Sequence, residues 1–204
     1  MSIEVPAAKA DLALEFANTR YWRGRETHSE TLNSPEDLLK WCADAKIPHR
    51  AIDRLRTWWQ QHPRKAEQAF GDALELREAL YRIFRTIAEE GEPTSADLDV
   101  LNRALSDAPS RAHLVRANGG YAWALADLQP EVTALLAPVI WAAADLLIEP
   151  ARIKVRRCAN DECVWLFLDD SKSGTRRWCD MKACGNRAKA HRHYAKQKAQ
   201  AKKG

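Results

Sequence analysis

The chain has 204 residues, 46% of them hydrophobic and 29% charged, which suits one ordinary domain with a real core and a smaller one beside it. No apolar run approaches the roughly 18 residues of a membrane span, and the longest, at 139–148, is interrupted by Asp145. Net charge is +4 but uneven: from Arg152 onward fifteen Lys and Arg stand against five Asp and Glu, leaving seventeen against twenty-three before it. An acidic body with a basic C-terminal arm points to a polyanionic partner for the arm. The first ten residues lack the basic start and apolar middle of a secretory signal, so the expected location is the cytoplasm, where thiols stay reduced.

The body reads as mainly α with a small β-hairpin, an α+β class. Residues 7–18 are apolar-rich, with Leu12 and Phe16 four apart on one helical face. Ser34-Pro35-Glu36-Asp37 is a helix start: a capping serine, proline in the first turn, then acids at the positive end of the dipole. Ile52, Leu55 and Trp59 fit a second helix, and 63–90 a long third, with Gly91 suited to its C-terminal cap. Thr94 or Ser95 opens a further helix bearing Leu98, Leu101 and Leu105. Residues 111–117 and 121–127 alternate around Asn118-Gly119-Gly120, a hairpin signal. Helix resumes through Val132, Leu135, Val139, Ile140, Ala143 and Leu147, with a kink expected at Pro138. Glu149-Pro150 marks the expected boundary between a body at 1–150 and an arm at 151–204.

Four of the five cysteines lie in the arm as two matching pairs, Cys158/Cys163 and Cys179/Cys184, in the pattern C-x4-C-x15-C-x4-C. Thiolates are among the best zinc ligands, and four of them close a tetrahedral shell, which makes one structural Zn2+ the expected occupant. An iron–sulfur cluster also takes four cysteines. A catalytic zinc would need an open position. An arm this charged has few apolar residues for a core of its own, and a metal can supply the missing stability. The strand-like 164–168 is expected to form a hairpin with 176–178, and a helix to follow over 187–200. Knuckle, hairpin and helix make a treble-clef-like arrangement.

These residues resemble a known family. Cys184-Gly185-Asn186-Arg187 spells the motif that names the CGNR zinc finger. Its context matches at Arg157-Cys158, at Cys163-Val164-Trp165-Leu166-Phe167-Leu168-Asp169 and at Arg176-Arg177-Trp178-Cys179-Asp180-Met181. The body resembles the ABATE domain that usually precedes this finger, on Leu14-Glu15-Phe16-Ala17-Asn18-Thr19, the segment from Leu38 to Trp41, and Leu76-Arg77-Glu78-Ala79-Leu80. Glu15 stands where that pattern has Asp. The resemblance covers nearly the whole chain and implies a bacterial transcription regulator linked to stress.

Phosphate neutralisation needs long cationic side chains. The expected DNA-binding residues are Arg156, Arg157, Lys172, Arg176, Arg177, Arg187, Lys189, Arg192 and Lys196. On a helix Lys189, Arg192 and Lys196 fall within about 60° of one another. Trp165, Phe167 and Trp178 are expected to pack beside the metal. Stacking on RNA bases, or protein binding over a scaffold finger, is the alternative. Cys42 is expected in the helical core. The body holds no nucleotide loop, metal-protease pattern or nucleophile elbow, so no enzyme is expected. Asn18, Thr19, Arg20, Tyr21 and Trp22 form a polar-aromatic cluster just past an apolar helix and are the candidate pocket for a small-molecule effector, with Tyr121 and Trp123 as further lining. A homodimer fits the two-fold symmetry of many DNA sites.

Overall fold

The computed structural model describes residues 3–5, 9–117, 120–125, 131–149 and 154–190. In chain order these form β1 (Ile3–Val5), α1 (Leu12–Ala17), β2 (Arg20–Tyr21), β3 (Ser29–Glu30), α2 (Pro35–Asp44), α3 (His49–Gln61), α4 (Pro63–Ala88) and α5 (Ser95–Asp107). Then come β4 (Leu114–Ala117), β5 (Gly120–Leu125), α6 (Val132–Leu135), α7 (Ala137–Ile148), β6 (Lys154–Arg157) and β7 (Leu166–Asp169). A wide turn at Met181–Gly185 leads into a terminal helix at 186–190.

The capping residues set the helix starts. The Ser34 hydroxyl accepts from the Asp37 N–H at 3.2 Å, and the Asp37 carboxylate accepts from the Asn33 N–H at 3.1 Å. Thr94 caps α5 in the same way, accepting from the Asp97 N–H at 3.2 Å. The end of α4 differs from expectation. Glu90 takes the left-handed conformation, with φ 60°, and Gly91 follows it. The N–H groups of Glu90 and Gly91 donate to the carbonyls of Ile87 and Thr86 at 3.0 and 2.9 Å, the double closure of a Schellman end. At Pro138 the helix is broken rather than kinked. Leu136 joins α6 to α7, and proline sits in the first turn of α7, where no N–H is needed.

The expected hairpin pairs Leu114 with Trp123 and Arg116 with Tyr121. A third strand, β1, adds to it through Ile3↔Leu125 and Val5↔Trp123. Ile3, Val5 and Leu125 are buried against Ala137 and Trp141 of α7. Trp123 packs on this cluster, while Tyr121 is 76% exposed.

α4 is the central pillar, packed by α1, α2, α3, α5 and α6, and by β6 and β7 of the C-terminal arm. Val155, Val164 and Leu166 belong to the same buried cluster as Leu12, Phe16, Leu80, Tyr81 and Phe84. The inner face of the arm therefore completes the core of the body. The hairpin of the arm also differs from expectation. β7 pairs with β6, through Val155↔Leu168 and Arg157↔Leu166, and residues 176–178 form no strand. The physical reason lies in the first cysteine pair: the loop between Cys158 and Cys163 is itself the hairpin turn, closed by a bond from the Cys158 N–H to Trp165 O at 2.8 Å.

One buried side chain of the body bonds both backbone groups of a strand residue in the arm. Buried Asn18, just past α1, donates from Nδ2 to Leu166 O at 2.8 Å and accepts at Oδ1 from the Leu166 N–H at 3.0 Å. It serves the edge of β7 as a neighbouring strand would. The Tyr81 hydroxyl adds a bond to Val164 O at 3.0 Å. Replacing Asn18 with Leu leaves a buried N–H and C=O unpaired, each costing about 1–3 kcal/mol. Asn18→Leu is expected to lower the unfolding free energy in urea by about 2–4 kcal/mol, in one transition shared by body and arm.

Candidate metal centre and the surface around it

Two short segments bring the four sulfurs together. In the first, the N–H groups of Cys163 and Val164 both donate to Asn160 O, at 2.9 and 3.0 Å. Asn160 Oδ1 accepts from the Glu162 N–H at 3.1 Å, and its Nδ2 reaches Cys184 Sγ at 3.6 Å. Val164 is left-handed, with φ 48°, a conformation that costs a side chain roughly 1–2 kcal/mol. The bond from Tyr81 and burial in the core hold it there. In the second segment, the Asp180 carboxylate accepts from the Ala183 N–H at 2.8 Å, and Asp180 O accepts from the N–H groups of Cys184 and Gly185 at 3.0 and 3.1 Å. The last ligand thus lies in the turn that leads into the terminal helix, whose start at residue 186 is one residue before the start expected from sequence.

All four sulfurs lie within 4.8 Å of one another. Cys163 and Cys179 are 3.7 Å apart, Cys179 and Cys184 3.8 Å. A tetrahedral zinc with bonds of about 2.3 Å spaces its sulfurs by about 3.8 Å, whereas a disulfide needs about 2.05 Å. The donor set therefore fits one structural Zn2+ held by Cys158, Cys163, Cys179 and Cys184. Without a cation these groups cannot all ionise. The Cys158 sulfur accepts from the thiols of Cys163 and Cys179, which holds its pKa far below the ordinary thiol value and pushes theirs up. Backbone N–H groups of Cys179 and Asn160 also point at the Cys158 sulfur. Such outer partners orient the ligands. Phe167 is buried against the cysteines, with Trp22, Trp165 and Trp178 around it. Cys42 is fully buried in the body, and burial pushes its thiol pKa well up.

The nine expected DNA-binding residues divide. Arg156 donates to the buried Asp169 carboxylate at 3.0 Å and to Gly174 O. Arg157 pairs with Glu89, just past the end of α4, at 3.1 Å. Arg176 donates to Trp178 O at 2.9 Å and to Cys179 O, with its guanidinium over Phe167 at 4.8 Å. These three hold the metal module and its seat on α4. Lys172, Arg177, Arg187 and Lys189 are exposed, and so is Lys182, which the sequence reading omitted. Arg192 and Lys196 lie outside the described residues.

The expected effector-pocket residues meet protein groups instead. Asn18 binds Leu166, as above. Thr19 donates to Phe16 O at 2.8 Å and lies beside Arg77. Arg77 is buried and paired with Glu30 at 2.6 Å and Glu78 at 2.9 Å. Burial pushes the Glu78 carboxyl up, but the Arg23 hydrogen bond and the surrounding cations outweigh it and hold the pKa below its ordinary value. Arg20 reaches His28 at 2.8 Å, and Tyr21 stacks on Trp165 at 5.1 Å. Trp22 lies under Arg25 at 4.0 Å and Arg187 at 4.9 Å. The loop is a docking surface for the metal module. Two further contributors escaped the sequence reading. The Gly24 N–H donates to Glu162 O at 3.2 Å, and a Cβ on Gly24 would fall 1.6 Å from Asp161 O. Arg25 donates to Glu162 from Nε and NH2, at 3.0 and 2.8 Å. Nothing in their spacing marks them, because their partners are about 140 residues away.

Beside the metal site runs a groove of about 450 Å³ between the first knuckle and the terminal helix, lined in part by Asn160, Glu162, Arg177, Trp178 and Arg187.

A helical body completed by a closed four-thiolate module defines a zinc-finger protein whose metal serves structure. More particularly, the chain belongs to the ABATE family, described as "Putative stress-induced transcription regulator", which matches residues 10–150, and residues 154–197 match the CGNR zinc finger. Both are regulator and zinc-finger types rather than enzyme families. No curated protein matches the chain. None of the helices described is long and apolar enough to cross a membrane.

Elemental analysis is expected to find one zinc per chain, lost on Cys→Ser substitution at any of the four ligands. Bound thiolates titrate below the free-cysteine value of about 8.5, so the stability they confer is present above that pH and is lost as pH falls. A chelator competition series from pH 8 to pH 5 should show zinc affinity falling steeply with acid.

Proposed function

We propose that this chain is a zinc-dependent, DNA-binding transcriptional regulator in which the metal positions a cationic surface. The observation that carries the reading is how the charges of the finger are distributed. Lys154, Arg156, Arg157 and Arg176 each pair with a carboxylate of the protein. Lys172, Arg177, Lys182 and Lys189 are exposed and have no acidic partner among the described residues. Long cations left unneutralised on a rigid scaffold suit a phosphate backbone, whose contacts give affinity and fix register. The acidic body disfavours contact elsewhere and would orient the finger toward the duplex.

Stacking on RNA bases is the weaker reading. It needs free aromatic faces, but Phe167 is buried and Trp165 is covered by Tyr21. The proposal requires no effector, because the loop first read as a pocket is engaged with the finger.

A mobility-shift assay of zinc-loaded protein on genomic fragments is expected to show binding at low salt that a chelator abolishes. With about six phosphate contacts, log K should fall against log salt with a slope near −5. Single-stranded RNA of equal length should bind more weakly. Absence of any shift by zinc-loaded protein at low salt would sink the DNA reading, and tighter binding of RNA would replace it.

A further inference from the structure

Two arginines line the groove beside the metal. Arg177 lies over Trp178 at 5.5 Å and Arg187 over Trp22 at 4.9 Å. Stacking on an indole occupies the flat face of a guanidinium and leaves its N–H fork free in the plane. Neither guanidinium donates a hydrogen bond among the described residues. The single acidic neighbour of Arg187 among them is Glu162, at 3.9 Å, too far for a hydrogen bond. Glu162 is instead held by Arg25, at 2.8 Å. Two planar forks, each held against an indole and both lining one open groove, suit a tetrahedral oxyanion.

Resting on the DNA reading, we propose that this groove seats one phosphodiester of the nucleic-acid backbone between Arg177 and Arg187, and that Glu162 is the internal anion it competes with. The seat takes phosphate rather than a base edge, so it contributes affinity and register, not sequence preference. Asp161 and Glu162 belong to the same groove and make it selective against loose binding. Only a ligand that satisfies both forks outcompetes the carboxylate. Arg187 also touches Trp22, in the loop that docks the body. The final arginine of the Cys-Gly-Asn-Arg motif therefore joins the nucleic-acid seat to the clasp between body and finger.

The test is fluorescence anisotropy of a short labelled DNA duplex with the zinc-loaded full chain over a salt series. Arg177→Ala should weaken binding and make the salt slope shallower by about 0.9, one phosphate contact. Glu162→Gln should bind several-fold tighter, an effect opposite in sign to any damage to the fold, with zinc content unchanged. Asp99→Asn on α5 makes the same change in net charge and should leave affinity unaltered. The double variant Arg177→Ala/Glu162→Gln should lose most of the gain. If the unsubstituted chain binds DNA but Glu162→Gln gains nothing, or Asp99→Asn gains as much, or Arg177→Ala keeps the full slope, the phosphate seat is wrong while the DNA reading stands. If the unsubstituted chain does not bind, both fall together.

Discussion

The structure depends on one amide. Asn18 satisfies both backbone groups of Leu166, and through them it fixes where the metal module sits on the body. The strand it borders carries part of the common core, and Cys158 and Cys163 lie at the turn of the same hairpin, next to Leu166. Sulfur geometry, hairpin register and helix packing are thus parts of one mechanical unit. A metal site usually stabilises a segment too small to bury enough apolar surface alone. Here two of its four ligands also flank a hairpin that belongs to the core of its larger neighbour.

Charge follows the same division. Among the described residues, the cations of the basic arm are part mortar and part surface. Arg156 and Arg176 bind the hairpin and second knuckle from within, and Lys154 and Arg157 tie β6 to the acidic end of α4. Only the remainder is available to an outside anion. Net charge counts both classes alike, so it overstates the attraction of the arm for a polyanion. The useful quantity is the set of cations that the fold leaves uncompensated.

Local signals were legible in the sequence. Ser34 and Thr94 stop the chain and start helices as their chemistry demands, and the paired cysteines announce the metal because thiolate coordination tolerates few spacings. The alternation around residues 118–120 gave the β4–β5 hairpin, although β1, only three residues long, left no periodic trace. Nonlocal choices were hidden. That β7 pairs backward with β6 rather than forward depends on the knuckle acting as a turn, which composition does not reveal. Asn18 and Trp22 stood out as a polar-aromatic cluster, but a cluster lining a cavity and one meeting another segment look identical until the partner is known. The same blindness applied to Arg156, Arg157 and Arg176, whose acceptors are a buried carboxylate, a distant helix and backbone oxygens.

Gly24 shows how fine the fit between the two parts is. Its Cα passes so near Asp161 O that any side chain would occupy the space of the carbonyl itself. Besides its hydrogen bond to Glu162 O, this residue contributes distance: it sets the clearance at which knuckle and docking loop meet. A side chain at this position would have to push knuckle and docking loop apart, so the seating of the finger on the body is set by the absence of a single methyl group.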